Sequence, residues 1–582
     1  MRSGRGTRRA GTQVLWGALL LTVAVAASGY AKERVRKVRE PDVDRPLLIV
    51  NVASVERLLN QAVFAFEEGG RPELAETLGA GLAKINDLKG IDRRQSMGVM
   101  VFLSKGIVPV PENVAYVPVK NIDELLKTLE IGPLTTKKVG DNQYEIVSGT
   151  RKWQVLVRRD YAFVAETREA LDHDLGDPAA FSSKLAKAFD IGAVLDLTSL
   201  TQTTRDIFAG TFRAKAESDL QRRDNEPVAA HRMRRAVGMQ RLEFLEQLLA
   251  QGEQVTLGWR TSQDEKSSAL ELQVSAKPGS EFANTFNELR GTRTHFANLL
   301  SGRPPLTVAA SLKLDKSNRK LWKELFTGME LRLLERLSIA ADSTSEPAPS
   351  VRELSKTLQA AIESGHLDAV VQFVGKPPGP FVLVGGMRVN DSIQAANALR
   401  GIFQGLPGTK LAPETQLSAF THKGIEFHRL QIQQNEESLY GGKPSFYFGA
   451  GESVVWFAVG CDEATAELKK AIDRVSEPIR EASAATPFQI AVNLSDWFEI
   501  IDPRKRMSLA RQALTDSKDT LRVDLQGTSD GAKLRIRFDE GFIRLVGMGL
   551  AKSAEQWRTK LDAEAAPKPS EKAPEADGAE KK

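Results

Sequence analysis

The sequence predicts an α+β protein of antiparallel sheets with flanking helices, internally duplicated in the order A-B-A′-B′. Apolar residues alternate along short segments that pair into hairpins, and helical stretches follow these segments. Five such segments recur in the same order in the two halves of the chain. A recurring order of similar segments indicates an internal repeat.

Three recurring segments define the A units, and each is a strand or hairpin that leads into a helix. In the second of them, Asn or Asp stands where the helix should start, as these residue types favour the N-cap. The three pairs are 46–52 with 305–314, 113–129 with 380–399, and 153–171 with 445–468.

The B units contain the other two pairs. A single apolar strand recurs at 191–200 and 488–497, and a hairpin with a turn rich in Ser, Asp and Gly recurs at 253–274 and 519–538. We expect the A and B units of one half to share a sheet or to pack closely, which would leave a groove between the two halves as a natural binding site.

The predicted organisation has seven parts. They are a signal peptide (1–31), a basic linker (32–45), unit A (46–180), unit B with a helical insertion (181–302), unit A′ (303–480), unit B′ (481–562) and a disordered tail (563–582). The tail is a low-complexity Ala, Pro, Lys and Glu segment that cannot bury enough apolar surface to fold.

The insertion at 201–252 has no full counterpart in unit B′. It predicts two helices broken near Pro227. Acidic residues intersperse its arginines, which favours a solvated helical hairpin over a membrane-binding surface. A partner site, if the protein has one, is expected here. The arginines are Arg222, Arg223, Arg232, Arg234, Arg235 and Arg241.

The N-terminus is typical of a secretory signal peptide. Four arginines precede the apolar run 14–27, and small residues follow at candidate cleavage sites 25–27 and 29–31. An uncleaved membrane anchor over 11–31 is the alternative, because a span needs about 20 apolar residues. The leader arginines account for four of the five net positive charges, so the rest of the chain is nearly neutral and has no global attraction to nucleic acid.

No residue pattern in the sequence indicates a catalytic, cofactor or metal site. Cys461 is the only cysteine and stands at a strand-to-helix step, where an incidental small residue is the favoured interpretation over a nucleophile. Asp172, His173 and Asp174 lack the spacing of zinc ligands. His428 and Glu426 should share a strand face, where solvated polar pairs are common.

The chain resembles exported bacterial proteins of unknown function that carry a leader, an opening strand and helix like 47–59, and a later Val-Pro-Val-Lys-Asn step like 117–121. The resemblance implies repeated α+β units and export, and it implies no catalytic residues.

Three functions stay open. The first is a non-catalytic envelope protein that binds a protein or a surface polymer. The second is a carrier of a hydrophobic ligand with a cavity between the halves, and the third is an enzyme with an unfamiliar site, which would need ionisable residues converging in a cleft. Periplasm or cell envelope is the expected location, with membrane attachment only through an uncleaved leader.

Overall fold

The computed structural model describes residues 45–565 apart from short internal segments. The predicted signal peptide, residues 32–44 of the linker and residues 566–582 of the tail lie outside the described residues. The internal segments outside the description are 105–108, 131–133, 337–346, 377–378, 407–413, 432–436, 479–485, 502–506 and 516–518.

The protein is α+β, as predicted, and its strands form one antiparallel sheet rather than several. In chain order the strands are β1 (Leu48–Val52), β2 (Met97–Leu103), β3 (Pro111–Pro118), β4 (Thr135–Gly140), β5 (Gln143–Ser148), β6 (Arg151–Arg158), β7 (Tyr161–Ala165), β8 (Ile191–Asp196), β9 (Gly252–Ser262), β10 (Ser267–Ala276), β11 (Leu306–Lys313), β12 (His366–Val374), β13 (Val382–Arg388), β14 (Thr415–His422), β15 (Ile425–Gln431), β16 (Ser445–Gly451), β17 (Val454–Gly460), β18 (Phe488–Asn493), β19 (Thr520–Gly527) and β20 (Gly531–Phe538).

Helices connect most of the strands that are not joined as hairpins. Within the described residues the α-helices are α1 (Val55–Glu68), α2 (Leu74–Lys84), α3 (Ile122–Leu129), α4 (Pro178–Ala188), α5 (Gln202–Asp219), α6 (Val228–Gln251), α7 (Glu281–Glu288), α8 (Lys316–Arg336), α9 (Pro347–Glu363), α10 (Ser392–Gln404), α11 (Glu437–Tyr440), α12 (Glu463–Val475), α13 (Leu494–Ile501), α14 (Ser508–Ala513) and α15 (Glu540–Ala565).

The two halves of the chain have the same strand order. From its outer edge to the middle of the sheet the first half runs β4-β5-β6-β7-β3-β2-β1-β8-β9-β10. From its own outer edge to the middle, the second half runs β14-β15-β16-β17-β13-β12-β11-β18-β19-β20. Each strand of one half therefore has a counterpart at the same place in the other.

All five recurring sequence segments lie at corresponding places in this order. The predicted helix starts are also confirmed, because Asn121 and Asp391 both cap their helices through their side-chain oxygens. Residues at the same distance from the turn are equivalent in the hairpins β6-β7 and β16-β17. Val155 then corresponds to Phe448, and Phe163 corresponds to Trp456. All four side chains are buried.

Side chains alternate between the two faces of the sheet. We call the face that carries Glu271 and Arg535 the front face, and the face that carries Val523 and Leu534 the back face. In the second half the back face is buried beneath α7 and α8, through Phe282, Phe286, Leu321 and Phe326.

The halves are joined edge to edge, so the sheet is continuous across them. β10 pairs with β20 over eight residue pairs, from Ser268 with Phe538 to Ser275 with Gly531. Each half also contributes its last helix to the other. Phe286 of α7 packs in the core that includes Val523, while α15 crosses α1, bringing Gly547 against Ala65.

The predicted insertion forms two helices, α5 and α6, with Pro227 immediately before α6. This confirms the predicted break, because proline lacks the N–H that a helix interior needs and is tolerated at a helix start. At the C-terminus, α15 extends to Ala565 and so includes the first three residues of the predicted tail, 563–565.

Candidate functional site

The most strongly charged part of the sheet is the front face of its four central strands. β9, β10, β20 and β19 direct five cationic and two acidic side chains to this side, at alternate positions in neighbouring strands. We call this the cationic surface. Its members are Arg260, Glu271, Arg522, Asp524, Lys533, Arg535 and Arg537.

Glu271 lies at the centre of the cationic surface and is 7% exposed. Its carboxylate is 2.5 Å from Lys533 Nζ, 3.3 Å from Arg535 Nε and 3.7 Å from Arg260 Nη2. A buried carboxylate needs such partners, because an unpaired charge would be costly to desolvate. One carboxylate holds three cations, so positive charge remains in excess around it.

The second carboxylate of the cationic surface is partly desolvated. Burial raises the pKa of Asp524 above its ordinary value, and the nearby charges of Arg522 and Arg535 oppose this shift. At the end of the strands Arg537 is held by Asp539 at 3.2 Å and by Glu265 at 3.6 Å. The cations with the greatest freedom to meet a ligand are Arg260 and Arg522: the Arg260 side chain is 42% exposed and Arg522 is classed as exposed.

The sequence carries a signal for this surface in the spacing of its charged residues. In 519–538, charged residues occupy alternate positions of the two strands, as in Lys533, Arg535 and Arg537. Alternation places these residues on one face. Sequence alone does not reveal that β9 and β10 of the other half continue the same face.

The residues weighed in the sequence as catalytic or metal-binding candidates lie apart from the cationic surface. His173 is buried, stacks on Phe102 and has Nε2 at 2.6 Å from Glu112 Oε2. Cys461 lies between β17 and α12, as predicted, with Sγ 3.6 Å from the Lys443 carbonyl oxygen. Among the described residues no three His, Cys, Asp or Glu side chains gather as they would around a metal ion.

A serine, a histidine and a glutamate do meet on β14 and β15. Ser418 Oγ donates to Glu426, and the Ser418 backbone N–H donates to His428 Nδ1 over 3.1 Å. Burial lowers the pKa of His428 below its ordinary value. A nucleophilic serine needs its hydroxyl, not its backbone N–H, bonded to the base. The arrangement therefore ties a β-bulge to the neighbouring strand and is not a catalytic triad.

The arginines of the insertion act largely within the helical hairpin. Arg234 pairs with Glu226 at 2.8 Å and donates to the carbonyls of Asp219 and Gln221, and Arg222 donates to the Glu226 carbonyl. The hydrogen bond from Arg234 lowers the pKa of Glu226 to about 2. These contacts close the turn between α5 and α6. The hairpin is not solvated on all sides, because Leu242 and Leu249 of α6 are buried.

A groove between the halves is present on the back face, where α6 of the first half packs beside α8 of the second. Its volume is about 530 Å³. Arg232 pairs across the groove with Glu324 at 2.6 Å, and Arg235 and Lys320 also line it. The groove lies beside a sheet that is continuous between the halves.

A second cavity of about 530 Å³ lies on the front face of the first half, beneath α4. Apolar side chains make its walls, among them Ile49, Met100, Phe181 and Val194, and charged residues such as Lys184 and Asp196 stand at its border. This volume is within the range of small-molecule sites.

Comparison of the chain with protein-family models, with curated proteins and with solved structures found no match. Among the helices in the described part of the chain, none combines the length and the apolar character that a membrane span requires.

Proposed function

We propose that this protein is an exported, non-catalytic binding protein of the bacterial envelope, and that its ligand is a protein or a surface polymer. The observation that carries the proposal is the cationic surface. It lies on the central strands of the sheet. Asp539 and Glu265 pair with Arg537, and the other four cations share two carboxylates, which leaves positive charge available to a ligand. The seven charged members of the cationic surface include no serine, cysteine or histidine, the side chains that most often act as nucleophile or as proton-transfer base.

Export is part of the same proposal. The arginine-rich leader and the apolar run 14–27 support secretion, with cleavage before Lys32. N-terminal sequencing of the protein from its native cell should begin near Lys32. An intact Met1 terminus in the membrane fraction would contradict cleavage and favour an anchor.

We also propose that the two halves arose by internal duplication. The identical order of ten strands in each half supports this origin, as does the position of the five recurring segments within that order. The equal burial of Phe163 and Trp456 at equivalent hairpin positions adds to it. Statistically significant alignment of the two halves across many homologous sequences is the test, and unrelated profiles for the halves would contradict the proposal.

Binding through the cationic surface is tested with the full-length protein immobilised on a resin and an extract of the native envelope. The double variant Arg260→Gln/Arg522→Gln removes two charges from the surface, and Lys137→Gln/Lys138→Gln removes two exposed charges from the outer strand β4 as the control. The wild type and the control should retain an envelope component that the double variant loses. Equal retention by all three proteins would contradict the proposed site.

The cavity beneath α4 supports a second candidate function, that of a carrier for a hydrophobic ligand. The cavity lies within the first half rather than between the halves, and its walls are mainly apolar. Native mass spectrometry of protein purified from its own cell should then show a bound apolar molecule. Replacing Ala180 at the cavity wall by Phe should abolish that binding, and an unchanged mass spectrum in the variant would contradict the carrier function.

A further inference from the structure

We propose that the cationic surface recognises an acidic polysaccharide, a polymer that presents carboxylate groups at regular intervals. This inference rests on the proposed binding function and names its ligand class. Three features carry it: the local excess of positive charge, the way in which Glu271 positions the cations, and the absence of apolar anchors on the surface.

The charge of the surface is local. Outside the leader the chain is nearly neutral, yet five cations and two carboxylates share the front face of four adjacent strands. With Arg537 paired to Asp539 and Glu265, four cations remain for the two carboxylates. Arg260 on β9 and Arg522 on β19 are separated by three inter-strand steps, or about 14 Å. A ligand must therefore be long and repeatedly anionic to contact both ends of the surface.

Glu271 prepares the surface for such a ligand. It is buried at the base of Lys533, Arg535 and Arg260, and its carboxylate keeps their charged groups close together. Glu271 and Asp524 together cannot neutralise the four cations around them, which are Arg260, Arg522, Lys533 and Arg535. Further carboxylates are therefore favoured nearby, and guanidinium groups bind them through paired N–H donors.

The side chains between the charges distinguish a polysaccharide from a protein or a nucleic acid. The front-face residues of these strands include Thr256, Gln273 and Gln526, and the largest apolar one is Ala269, which is 3% exposed. Protein interfaces usually depend on buried aromatic or large apolar anchors, and single-stranded nucleic acids stack on aromatic rings. Hydroxyl and amide groups among cations instead suit a hydrated, hydroxyl-rich polyanion.

The experiment measures binding of the full-length protein to polygalacturonate oligomers by isothermal titration calorimetry at several salt concentrations. Neutral dextran and duplex DNA of similar length serve as comparison ligands. Arg260→Gln/Arg522→Gln is the test variant, and Lys137→Gln/Lys138→Gln on the outer strand β4 is the charge-matched control. We expect salt-sensitive binding of polygalacturonate, weakened about ten- to a hundredfold in the double variant and unchanged in the control.

Each other outcome contradicts a specific part of the proposal. Equal binding by the double variant would show that the surface is not the site. Binding of DNA as tight as that of polygalacturonate would show general adhesion to polyanions. No binding of polygalacturonate, with capture of an envelope component still dependent on Arg260 and Arg522, would overturn the ligand class and leave the proposed binding function standing.

Discussion

The back face of the sheet is buried at β18 and β19 of the second half and half open at β8 and β9, the equivalent strands of the first half. Val523 on β19 is 1% exposed, whereas its counterpart Leu257 on β9 is 44% exposed; Phe488 on β18 is 8% exposed, and its counterpart Ile191 on β8 is 43% exposed. The same strand order therefore does not determine the same burial.

The difference arises from the last helix of each half. α7 places Phe282 and Phe286 over the second half, where both are almost fully buried. α15 begins similarly, with Phe542 stacked on Phe538 beside Trp259. It then crosses α1, and Val546 and Leu550 stay largely exposed. The apolar back face of β8 and β9 in the first half is therefore covered only in part by helices.

The largest expected effect comes from separating the halves. Residues 45–302 and 303–565, expressed alone, should each be insoluble or lack cooperative unfolding, because each loses the β10–β20 pairing and the last helix of one half loses its site on the other. Co-expression should restore a soluble complex, measured by size-exclusion chromatography. Two separately folded, monomeric pieces would contradict this exchange of helices.

Two substitutions that shorten a side chain test the difference in burial directly. Phe286→Ala should lower the free energy of unfolding by about 3–5 kcal/mol, because it leaves a cavity in a closed core. Leu257→Ala on the back face of β9 should lower it by about 1 kcal/mol or less, because the side chain is already nearly half exposed to solvent. Denaturant unfolding measures both. A large loss of unfolding free energy for Leu257→Ala would mean that the back face of β9 is covered in solution.

The crossing of α15 over α1 depends on a glycine. A Cβ at Gly547 would stand 1.7 Å from the Ala65 carbonyl oxygen, whereas a Cβ at Gly549 would meet nothing within 4 Å. Gly547→Ala should therefore destabilise the protein by about 1–3 kcal/mol. Gly549→Ala should stabilise it by up to about 1 kcal/mol through higher helix propensity. Equal melting temperatures for the two variants would contradict this close helix contact.

The smallest expected effect concerns pH and the cationic surface. Burial raises the pKa of Asp524, so the folded state binds a proton more readily than the unfolded state does. This contribution to stability is present at low pH and is lost as the pH rises from the ordinary carboxyl range through the raised pKa. Asp524→Asn should raise the melting temperature at pH 7 and leave it unchanged at acidic pH. A lower melting temperature at pH 7 would mean that the pairing with Arg522 and Arg535 outweighs burial.

The local elements could be read from the sequence because their causes are local. Asn121 and Asp391 cap helices through their own side chains, the hairpins alternate at short range, and Pro227 separates the two helices of the insertion. Each signal depends on residues only a few positions apart. The α+β class follows from these elements, and so does the prediction of a repeat.

The tertiary structure decided which distant strands became neighbours. Alternation shows that Arg260 and Glu271 share a face, but only the pairing of β10 with β20 brings Lys533 and Arg535 to Glu271 and creates the cationic surface. The burial of Val523 and the exposure of Leu257 likewise depend on where α7 and α15 pack. The physical reason is that strand pairing across more than 250 residues and helix packing depend on the complementarity of whole surfaces, which short-range patterns do not encode.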